Sequence, residues 1–600
     1  MTDERVSIVN AISNPKHKIN KKMVNRSDQI EAKPKVFHTN LNHFDASTDK
    51  KCFGKMNGDK VPGGDVPVIK FSGDRDEKLD ENCDSDVISK YIGHYGWWQF
   101  FWTFLLVLCQ CPSTFQIYAF VFQGYRHPFH CARPEGLESI NITIWRQITK
   151  PCEANDLKSI LSASEQTLDT SEDFHSFYCD AYEFEGDENV ISEWNLVCDE
   201  ENLVYVVEMC FLAGAAIGSI CSGWVSDRFG RRHTLMVLIL MQAIFGILVA
   251  FSTSLTMFMV LRIILGFASM GVTMVSFVLV VELVSGKWRT IIGVLDILPV
   301  AVSYILIAGI AYAVPQWRQL QLVITVPWIS FLFAWYYLPE SPRWLLENGK
   351  IEELIKVINI AAKWNKIELP PGYEKTLHKP EETLTVSFAK LFKANYCRTT
   401  ILMIVIWYAL ILIYFGLTLH LAHLGGDIYI NTIIAGLLEA VSILLCIFVV
   451  LKLGLKINLV IYMLVAGAGC LAVNFLPDGN YFGVITFAMI VKCSIGATNA
   501  LIPTFTAIQY PTTMRTLSVG IGNFAAGIAL ITVPYLWLLE NVQKDLPMTL
   551  MGLFGIIGAG ALMLMKDKEL NLTNDEKNVK GINVKGTTGT QTISNGCIDA

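Results

Sequence analysis

Apolar residues in this chain come in long runs that are separated by polar segments. Most runs are about 20 residues long, the length of helix that crosses about 30 Å of hydrocarbon. Each run is therefore interpreted as one membrane-spanning helix. The predicted spans, numbered one to twelve in chain order, are 98–122, 203–224, 234–251, 257–283, 291–314, 320–338, 399–420, 429–450, 455–476, 482–508, 517–538 and 546–565.

The composition supports a membrane protein. Hydrophobic residues make up 52% of the 600 residues and charged residues 17%, whereas ordinary soluble domains have roughly 25% charged residues. The net charge of −6 carries little information, because the charges lie in loops and tails. We predict an all-α polytopic membrane protein.

The polar segments divide the chain into two halves of six spans each. Residues 1–92 are polar, without apolar periodicity, and are predicted to be a disordered cytosolic tail, as are residues 566–600. The halves cover residues 93–338 and 399–565, and a polar linker covers 339–398. An even number of spans places both tails on one side. Because no signal peptide is seen, this side is expected to be the cytosol.

A polar segment after span one, residues 123–202, is expected on the opposite, extracellular side. Its cysteines suggest two disulfides with three connectivities open, and its sequon at Asn141 is a glycosylation candidate. An even number of cysteines and a sequon on the same side are consistent with each other. The four cysteines are Cys131, Cys152, Cys179 and Cys198.

The loop between spans two and three has an ordered pattern of charged residues and glycines. Asp227 is expected to accept hydrogen bonds at a helix start, and Gly230 to permit a tight turn. The basic residues mark this hairpin as cytosolic by the positive-inside rule. The plainer alternative is a basic loop that only sets topology. The loop reads Gly223-Trp-Val-Ser-Asp227-Arg228-Phe-Gly230-Arg231-Arg232.

Three segments resemble the organic cation, carnitine and organic anion transporters of the major facilitator superfamily. They are the hairpin loop with Val281-Glu282-Leu283, the segment Glu193-Trp194-Asn195-Leu196-Val197-Cys198-Asp199, and the segment Pro339-Glu340-Ser341-Pro342-Arg343-Trp344-Leu345-Leu346. In detail the chain looks most like insect members, some of which carry carcinine or β-alanine. The resemblance implies a twelve-helix major facilitator fold with the substrate near the bilayer midplane.

The resemblance also implies a gate on the cytosolic side. In the family, the hairpin loop clamps helices there and opens during alternating access. The residues matched to this gate are Asp227, Arg228, Arg231, Arg232, Glu282, Arg289 and Arg262.

Charged residues inside spans are the main candidates for substrate binding. A charge at mid-membrane costs about 2.5–3.5 kcal/mol on insertion scales, so each one needs a reason. Glu439 in span eight matches an acidic cavity position of cation-transporting relatives, and Lys492 in span ten matches a basic position of the family. They are expected either to pair with each other or to hold the two ends of a substrate.

Other positions refine this expectation. Gly527 stands in span eleven where cation transporters of the family have an aspartate and anion transporters often an arginine, which favours a small zwitterion. Asp296 in span five could supply a negative charge for an amine or could be a latch near the cytosolic end. Glu208 in span two is expected to be a latch near the outer face.

Aromatic residues could hold an ammonium group by cation–π contact. Trp407, Tyr408 and Tyr414 in span seven match cavity positions of the family, and Tyr118 in span one could join them. The plainer interpretation of any of them is lipid contact or packing.

We therefore expect a plasma-membrane secondary transporter of small organic cations or zwitterionic amines, working by alternating access. An organic anion exchanger is the alternative. No nucleotide-binding loop or metal-ligand motif is found, so neither an enzyme nor an ATP-driven pump is expected, and no cofactor. The expected partners are the small substrate, the lipid bilayer and a coupling ion, Na⁺ or H⁺, but no nucleic acid.

Overall fold

The computed structural model describes residues 88–132, 182–379, 391–419, 426–477, 480–510 and 514–566, and contains twelve helices that are long and apolar enough to cross a membrane. This confirms the predicted fold class. The spans are Trp97–Leu108 with Gln110–Gln123, Asn202–Phe229, Arg231–Ala250, Leu255–Leu283, Lys287–Leu295 with Leu298–Ala313, Trp317–Thr325 continued by the 3-10 helix Val326–Tyr336, Ala394–Leu419, Ile428–Leu453, Leu455–Val473, Tyr481–Gln509, Arg515–Leu538 and Leu546–Leu564.

The remaining described elements lie between or beside the spans. Two three-residue strands pair antiparallel, with Cys131 opposite Tyr182. The strands are Phe129–Cys131 and Tyr182–Phe184, and the helices are Ser89–Ile92, Val190–Glu193, Cys198–Glu200, Pro342–Glu347, Ile351–Asn365, Tyr373–Thr376 and Leu539–Asn541.

Two faces of the helix bundle are distinguished by their connections. The hairpin side carries the turn at Gly230 and the linker helices after span six. The loop side carries the strands and the helix Val190–Glu193. Spans run alternately between the two sides, so span two ends on the hairpin side and span four begins on the loop side.

Small residues let spans two and four approach closely. A Cβ atom at Gly214 would lie 2.0 Å from the carbonyl oxygen of Ile263, and one at Gly266 would lie 2.1 Å from the carbonyl oxygen of Phe211. Only glycine fits at such distances. The packing is of the small-residue kind that drives helix association in lipid, where burial of apolar surface gives little advantage.

The two halves meet through spans two and eleven and through spans five and eight. A Cβ atom at Gly527 would lie 3.1 Å from the Cβ atom of Ala216, and one at Gly436 would lie 2.9 Å from the carbonyl oxygen of Ala301. Gly527 therefore forms part of the contact between spans two and eleven.

Two spans are locally irregular at positions that face each other, although the backbone there stays in the right-handed helical region. The irregular turns are at Cys109 in span one and at Asp296 and Ile297 in span five. Pro299 stands in the first turn of the second part of span five, where a missing N–H is tolerated. The side-chain amide of Gln110 donates to Asp296 Oδ2 over 2.6 Å, which joins the two irregular turns.

Candidate substrate site and gate

Glu439 and Lys492 form a buried ion pair between spans eight and ten. Lys492 Nζ lies 3.1 Å from Glu439 Oε2, and the side chains are 1% and 0% exposed, respectively. The geometry at Oε2 is not that of a hydrogen bond. Lys492 donates instead to the Thr418 hydroxyl over 2.6 Å. Two charges removed from water need such partners, because an unpaired buried charge is strongly disfavoured.

Three tyrosines surround this pair, and we call Tyr118, Tyr304 and Tyr414 the tyrosine cage. The Tyr414 hydroxyl donates to Glu439 Oε1 over 2.8 Å. Lys492 Nζ lies 3.9 Å from the centre of the Tyr414 ring and 4.8 Å from that of Tyr304. The rings of Tyr118 and Tyr304 are 4.1 Å apart, centre to centre. An ammonium group is thus held by a carboxylate and aromatic faces.

The cage and the ion pair draw on five spans that are distant in sequence. Tyr118 comes from span one, Tyr304 from span five, Tyr414 from span seven and the ion pair from spans eight and ten. Both halves therefore contribute to one site. Sequence reasoning missed Tyr304 and Thr418. Tyr304 lies eight residues after Asp296, on the same span, which is the only sequence signal that could have pointed to it.

Trp407 and Tyr408 lie outside the cage. The Trp407 indole N–H donates to the Thr506 hydroxyl over 3.0 Å, and its ring covers Gly522, where a Cβ atom would lie 2.6 Å from it. Tyr408 is half-buried against Phe554 and lies 3.3 Å from the Thr532 hydroxyl. Of the aromatic candidates in span seven, Tyr414 is the one that contacts the ion pair.

Asp296 is buried at the irregular turn of span five, where Gln110 is its hydrogen-bond donor. It precedes Tyr304 by eight residues, about 12 Å of helix, and lies nearer the hairpin side. The structure therefore places it apart from the ion pair.

The hairpin motif forms a charged cluster with span four. Arg231 donates to both carboxylate oxygens of Glu282 over 3.0 Å, a bidentate geometry, and lies 2.9 Å from Asp227 Oδ1. Arg231 is buried although it begins span three. Asp227, Arg231 and Glu282 are thus brought together as predicted for a gate.

Glu340, not Asp227, accepts the free N–H groups at the start of span three. Its Oε1 atom accepts from the backbone of Arg231 over 2.9 Å and of Arg232 over 3.1 Å. Asp227 lies in the last turn of span two, so the expectation that it caps a helix start is wrong. The Trp344 indole N–H donates to the Asp227 carbonyl over 2.8 Å. The two family motifs on this side therefore bind each other.

The remaining predicted gate residues are dispersed. The prediction that Arg262 belongs to the gate is wrong. Span four begins on the loop side, and Arg262 lies in its second turn, away from the hairpin. It is 1% exposed, its guanidinium lies 4.8 Å from the Phe120 ring centre, and it interacts with Glu208. Glu208 thus lies toward the loop side, as expected.

Arg228, Arg232 and Arg289 lie on the hairpin side. Arg228 lies 5.9 Å from the ring centres of Trp224 and Phe229. Arg232 donates to the carbonyl of Trp335. Arg289 lies in the first part of span five and is half-buried.

On the loop side, the family segment that begins at Glu193 meets the start of span six. Glu193 accepts a hydrogen bond from the Trp317 indole N–H over 2.8 Å and pairs with the Arg318 guanidinium. We call the contacts of Glu193 with Trp317 and Arg318 the cap on the loop side. Arg318 also donates to the carbonyl of Ser252 over 2.8 Å, which links the end of span three to this cap.

The predicted loop modifications are covered only in part. Cys131 and Cys198 are each disulfide-bonded. Cys152, Cys179 and Asn141 lie outside the described residues, so the pairing and the glycosylation stay predictions.

Comparison with known proteins gives a consistent picture. The sequence model of the family described as "Sugar (and other) transporter" matches residues 166–564. An organic cation transporter protein of Drosophila melanogaster is 30% identical over 508 residues, 81% of this chain and 92% of the fly protein. Human organic cation/carnitine transporter 2 is 28% identical over 507 residues, 79% of this chain and 90% of the human protein.

Solved structures show the same fold. The xylose transporter XylE from E. coli superposes with a TM-score of 0.52 at 16% identity, covering 78% of this chain and all of that one. The relatives and the fold are those of transporters, which confirms the expectation that the chain is not an enzyme. The chain belongs to the sugar (and other) transporter family of the major facilitator superfamily, among the organic cation and carnitine transporters.

Proposed function

We propose that this protein carries small organic cations and zwitterionic amines across the plasma membrane by alternating access. The observation that carries the proposal is the position of the Lys492 ammonium group. It is held by Glu439 and by the faces of Tyr414 and Tyr304, which is the chemistry that would bind the ammonium group of a substrate.

In this proposal the amine of the substrate takes the place of Lys492 beside Glu439. The displaced lysine is then available for a substrate carboxylate, so a zwitterion has a partner at each end. Carcinine, β-alanine and carnitine-like molecules have the required ammonium group. Gly527 supplies no second acidic side chain there, and a Cβ atom at this position would lie 3.1 Å from that of Ala216, which favours a two-ended site over a general cation site.

The gate is proposed to work through the hairpin side, which the positive-inside rule places in the cytosol with both termini. The pairs that Arg231 forms with Asp227 and Glu282 hold spans two, three and four together there, and the Glu340 cap fixes the start of span three. Release of substrate to the cytosol requires that these contacts rearrange, and Asp227, Arg228, Arg232 and Arg289 lie on the same side.

The names of two relatives agree with the proposed substrate class. The fly protein is called an organic cation transporter and the human protein an organic cation/carnitine transporter. Both names point to an ammonium group in the substrate, which agrees with a site that contains a carboxylate and aromatic rings.

The test is uptake by cells that express the full chain, offered β-alanine, carcinine, carnitine and tetraethylammonium. Glu439→Gln and Lys492→Ala are measured beside the wild type at matched surface expression. Asp427→Asn and Lys363→Ala make the same kinds of change at exposed positions and serve as controls.

We expect at least one zwitterion or small amine to enter, with at least tenfold loss in both site variants and little change in the controls. Entry of tetraethylammonium alone, with Lys492→Ala silent, would replace the two-ended site with a plain cation site. Uptake of none of the four, with uptake of an aromatic carboxylate instead, would favour the organic anion exchanger.

A further inference from the structure

Asp296 differs in its partners from three other acids of the described spans. Glu439 pairs with Lys492, Glu282 pairs with Arg231, and Glu208 interacts with Arg262. Asp296 is 3% exposed, receives its hydrogen bond from a neutral amide, and has an Oδ1 atom with no hydrogen-bond partner. A buried carboxylate without a cation is strongly disfavoured and takes up a proton instead.

The hydrogen bond indicates which oxygen would hold that proton. The Gln110 amide donates to Oδ2, so Oδ2 is an acceptor and Oδ1 is the atom free to carry the hydrogen. Gln110 lies on span one and Asp296 on span five, so this hydrogen bond joins two spans. An ionisable residue inside a membrane span is by default a candidate for a functional site.

The other titratable groups on the helices packed around Asp296 are distant from it, paired with another residue, or thiols, which are weak acids. The cytosol-proximal Arg289 lies seven residues earlier on span five, about two turns away. The ion pair Glu439–Lys492 lies toward the tyrosine cage, and Glu282 is held by Arg231. The free thiols on neighbouring helices are Cys109, Cys111, Cys446 and Cys493.

Asp296 is linked to the cage by the same two helix segments. Tyr304 follows Asp296 by eight residues on span five, and Tyr118 follows Gln110 by eight residues on span one, about 12 Å in each case. The two tyrosine rings are in contact. A positive charge added to the cage at about 12 Å, with an effective dielectric constant of about 20, would favour the ionised carboxylate about tenfold.

We propose that Asp296 is a proton-binding site that couples the transport of an ammonium substrate to a proton moving the opposite way. When the cation enters the cage, the O–H bond of Asp296 breaks and the proton passes to water on the side that is open. When the cation leaves, Asp296 takes a proton from the other side. The empty carrier returns protonated, so each enclosed state has the same net charge. This inference rests on the proposed transport function.

The experiment uses the purified full chain in liposomes with the membrane potential clamped at zero by K⁺ and valinomycin. Tetraethylammonium is the probe, because its charge is permanent and it cannot itself carry a proton. Net uptake is measured with and without an acidic interior, and an entrapped pH dye reports the proton. Exchange of labelled for unlabelled tetraethylammonium at equal pH is measured on the same liposomes.

For the wild type we expect an acidic interior to speed net uptake at least threefold, and tetraethylammonium entry to make the interior more alkaline. Asp296→Asn, which resembles the protonated carboxyl in shape and charge, should lose both responses and retain the equal-pH exchange. Asp427→Asn, the same change at an exposed position, should retain both responses. Gln110→Leu removes the donor to Oδ2 and should move the half-maximal pH of net uptake upward.

Exchange without any response to the pH gradient in the wild type would overturn the proton site and leave the transport function standing. A gradient response that survives in Asp296→Asn would also overturn it, since the proton would then be bound elsewhere. Absence of exchange in the wild type would instead refute carriage of this cation, and the proton proposal would fail with it.

Discussion

The Nζ atom of Lys492 lies 3.9 Å from the centre of the Tyr414 ring, and the Tyr414 hydroxyl donates to Glu439, the carboxylate that pairs with Lys492. The ring of Tyr414 thus contacts the positive charge of the pair, and its hydroxyl donates to the negative charge. The tyrosine cage surrounds the ammonium group and the carboxylate. Substitution can separate what each residue contributes to stability and to substrate affinity.

Removing one member of the pair should destabilise the protein more than removing both. Lys492→Met leaves the Glu439 carboxylate buried without a cation, for which about 3–5 kcal/mol is typical. The double variant Lys492→Met with Glu439→Gln should recover most of that loss. Thermal unfolding of the purified protein in detergent measures both. A double variant no more stable than Lys492→Met would mean that the two residues do not depend on each other.

Tyr414 should contribute to substrate affinity chiefly through its ring. Tyr414→Phe keeps the ring and loses the hydrogen bond to Glu439, and should change KM only a few-fold. Tyr414→Leu removes the aromatic face, and cation–π contacts of about 0.5–2 kcal/mol correspond to roughly 2- to 30-fold in KM. Concentration-dependent uptake measures both. Equal effects of the two substitutions would show that the hydroxyl, not the ring, matters.

Glu340→Ala should loosen the hairpin turn. The carboxylate accepts the backbone N–H groups of Arg231, Arg232 and Ser341, and leaving such donors without an acceptor costs about 1–3 kcal/mol each when buried. We expect lower thermal stability and faster trypsin cleavage at the hairpin arginines. Glu368→Ala, at an exposed position of the linker, is the matched control. Equal cleavage rates in the two variants would argue against the cap.

Gly218→Ala and Gly223→Ala should change stability in opposite directions. A Cβ atom at Gly218 would lie 2.3 Å from the carbonyl oxygen of Phe267, so spans two and four must separate, at a cost of about 1–3 kcal/mol. Gly223 on the same helix has open space, and alanine there gains up to about 1 kcal/mol of helix propensity. Thermal unfolding compares the two; equal stability would contradict the close packing.

Glu193→Gln should weaken the cap on the loop side. The carboxylate accepts the Trp317 indole N–H and pairs with Arg318, and hydrogen bonds to charged groups contribute about 1.5–3 kcal/mol. Reduced surface expression and a lower unfolding temperature are expected. Glu188→Gln, exposed five residues earlier, should behave as wild type. A fall in both variants would point to a general effect of lost charge.

Several residues show why part of the site was predictable. Glu439 and Lys492 stood out because charges in apolar spans are rare, and Tyr414 because it lies on span seven near a matched position. Tyr304 was not singled out and Glu340 was named only within a family segment, since their roles arise from spans and linker segments that meet only in the folded chain. The resemblance assigned Arg262 to the gate on the hairpin side, and this prediction was wrong. The direction of the chain puts the start of span four on the loop side.

By itself the sequence determined the number of spans and the class of protein, because crossing the bilayer requires about 20 apolar residues whatever their neighbours are. It also determined which charges need a partner, because an isolated charge in lipid is too unfavourable to persist. Only the tertiary structure decided which partner each charge has. Lys492 could have paired with any acid by composition, but helix packing brings Glu439 to 3.1 Å and leaves Asp296 with a neutral amide.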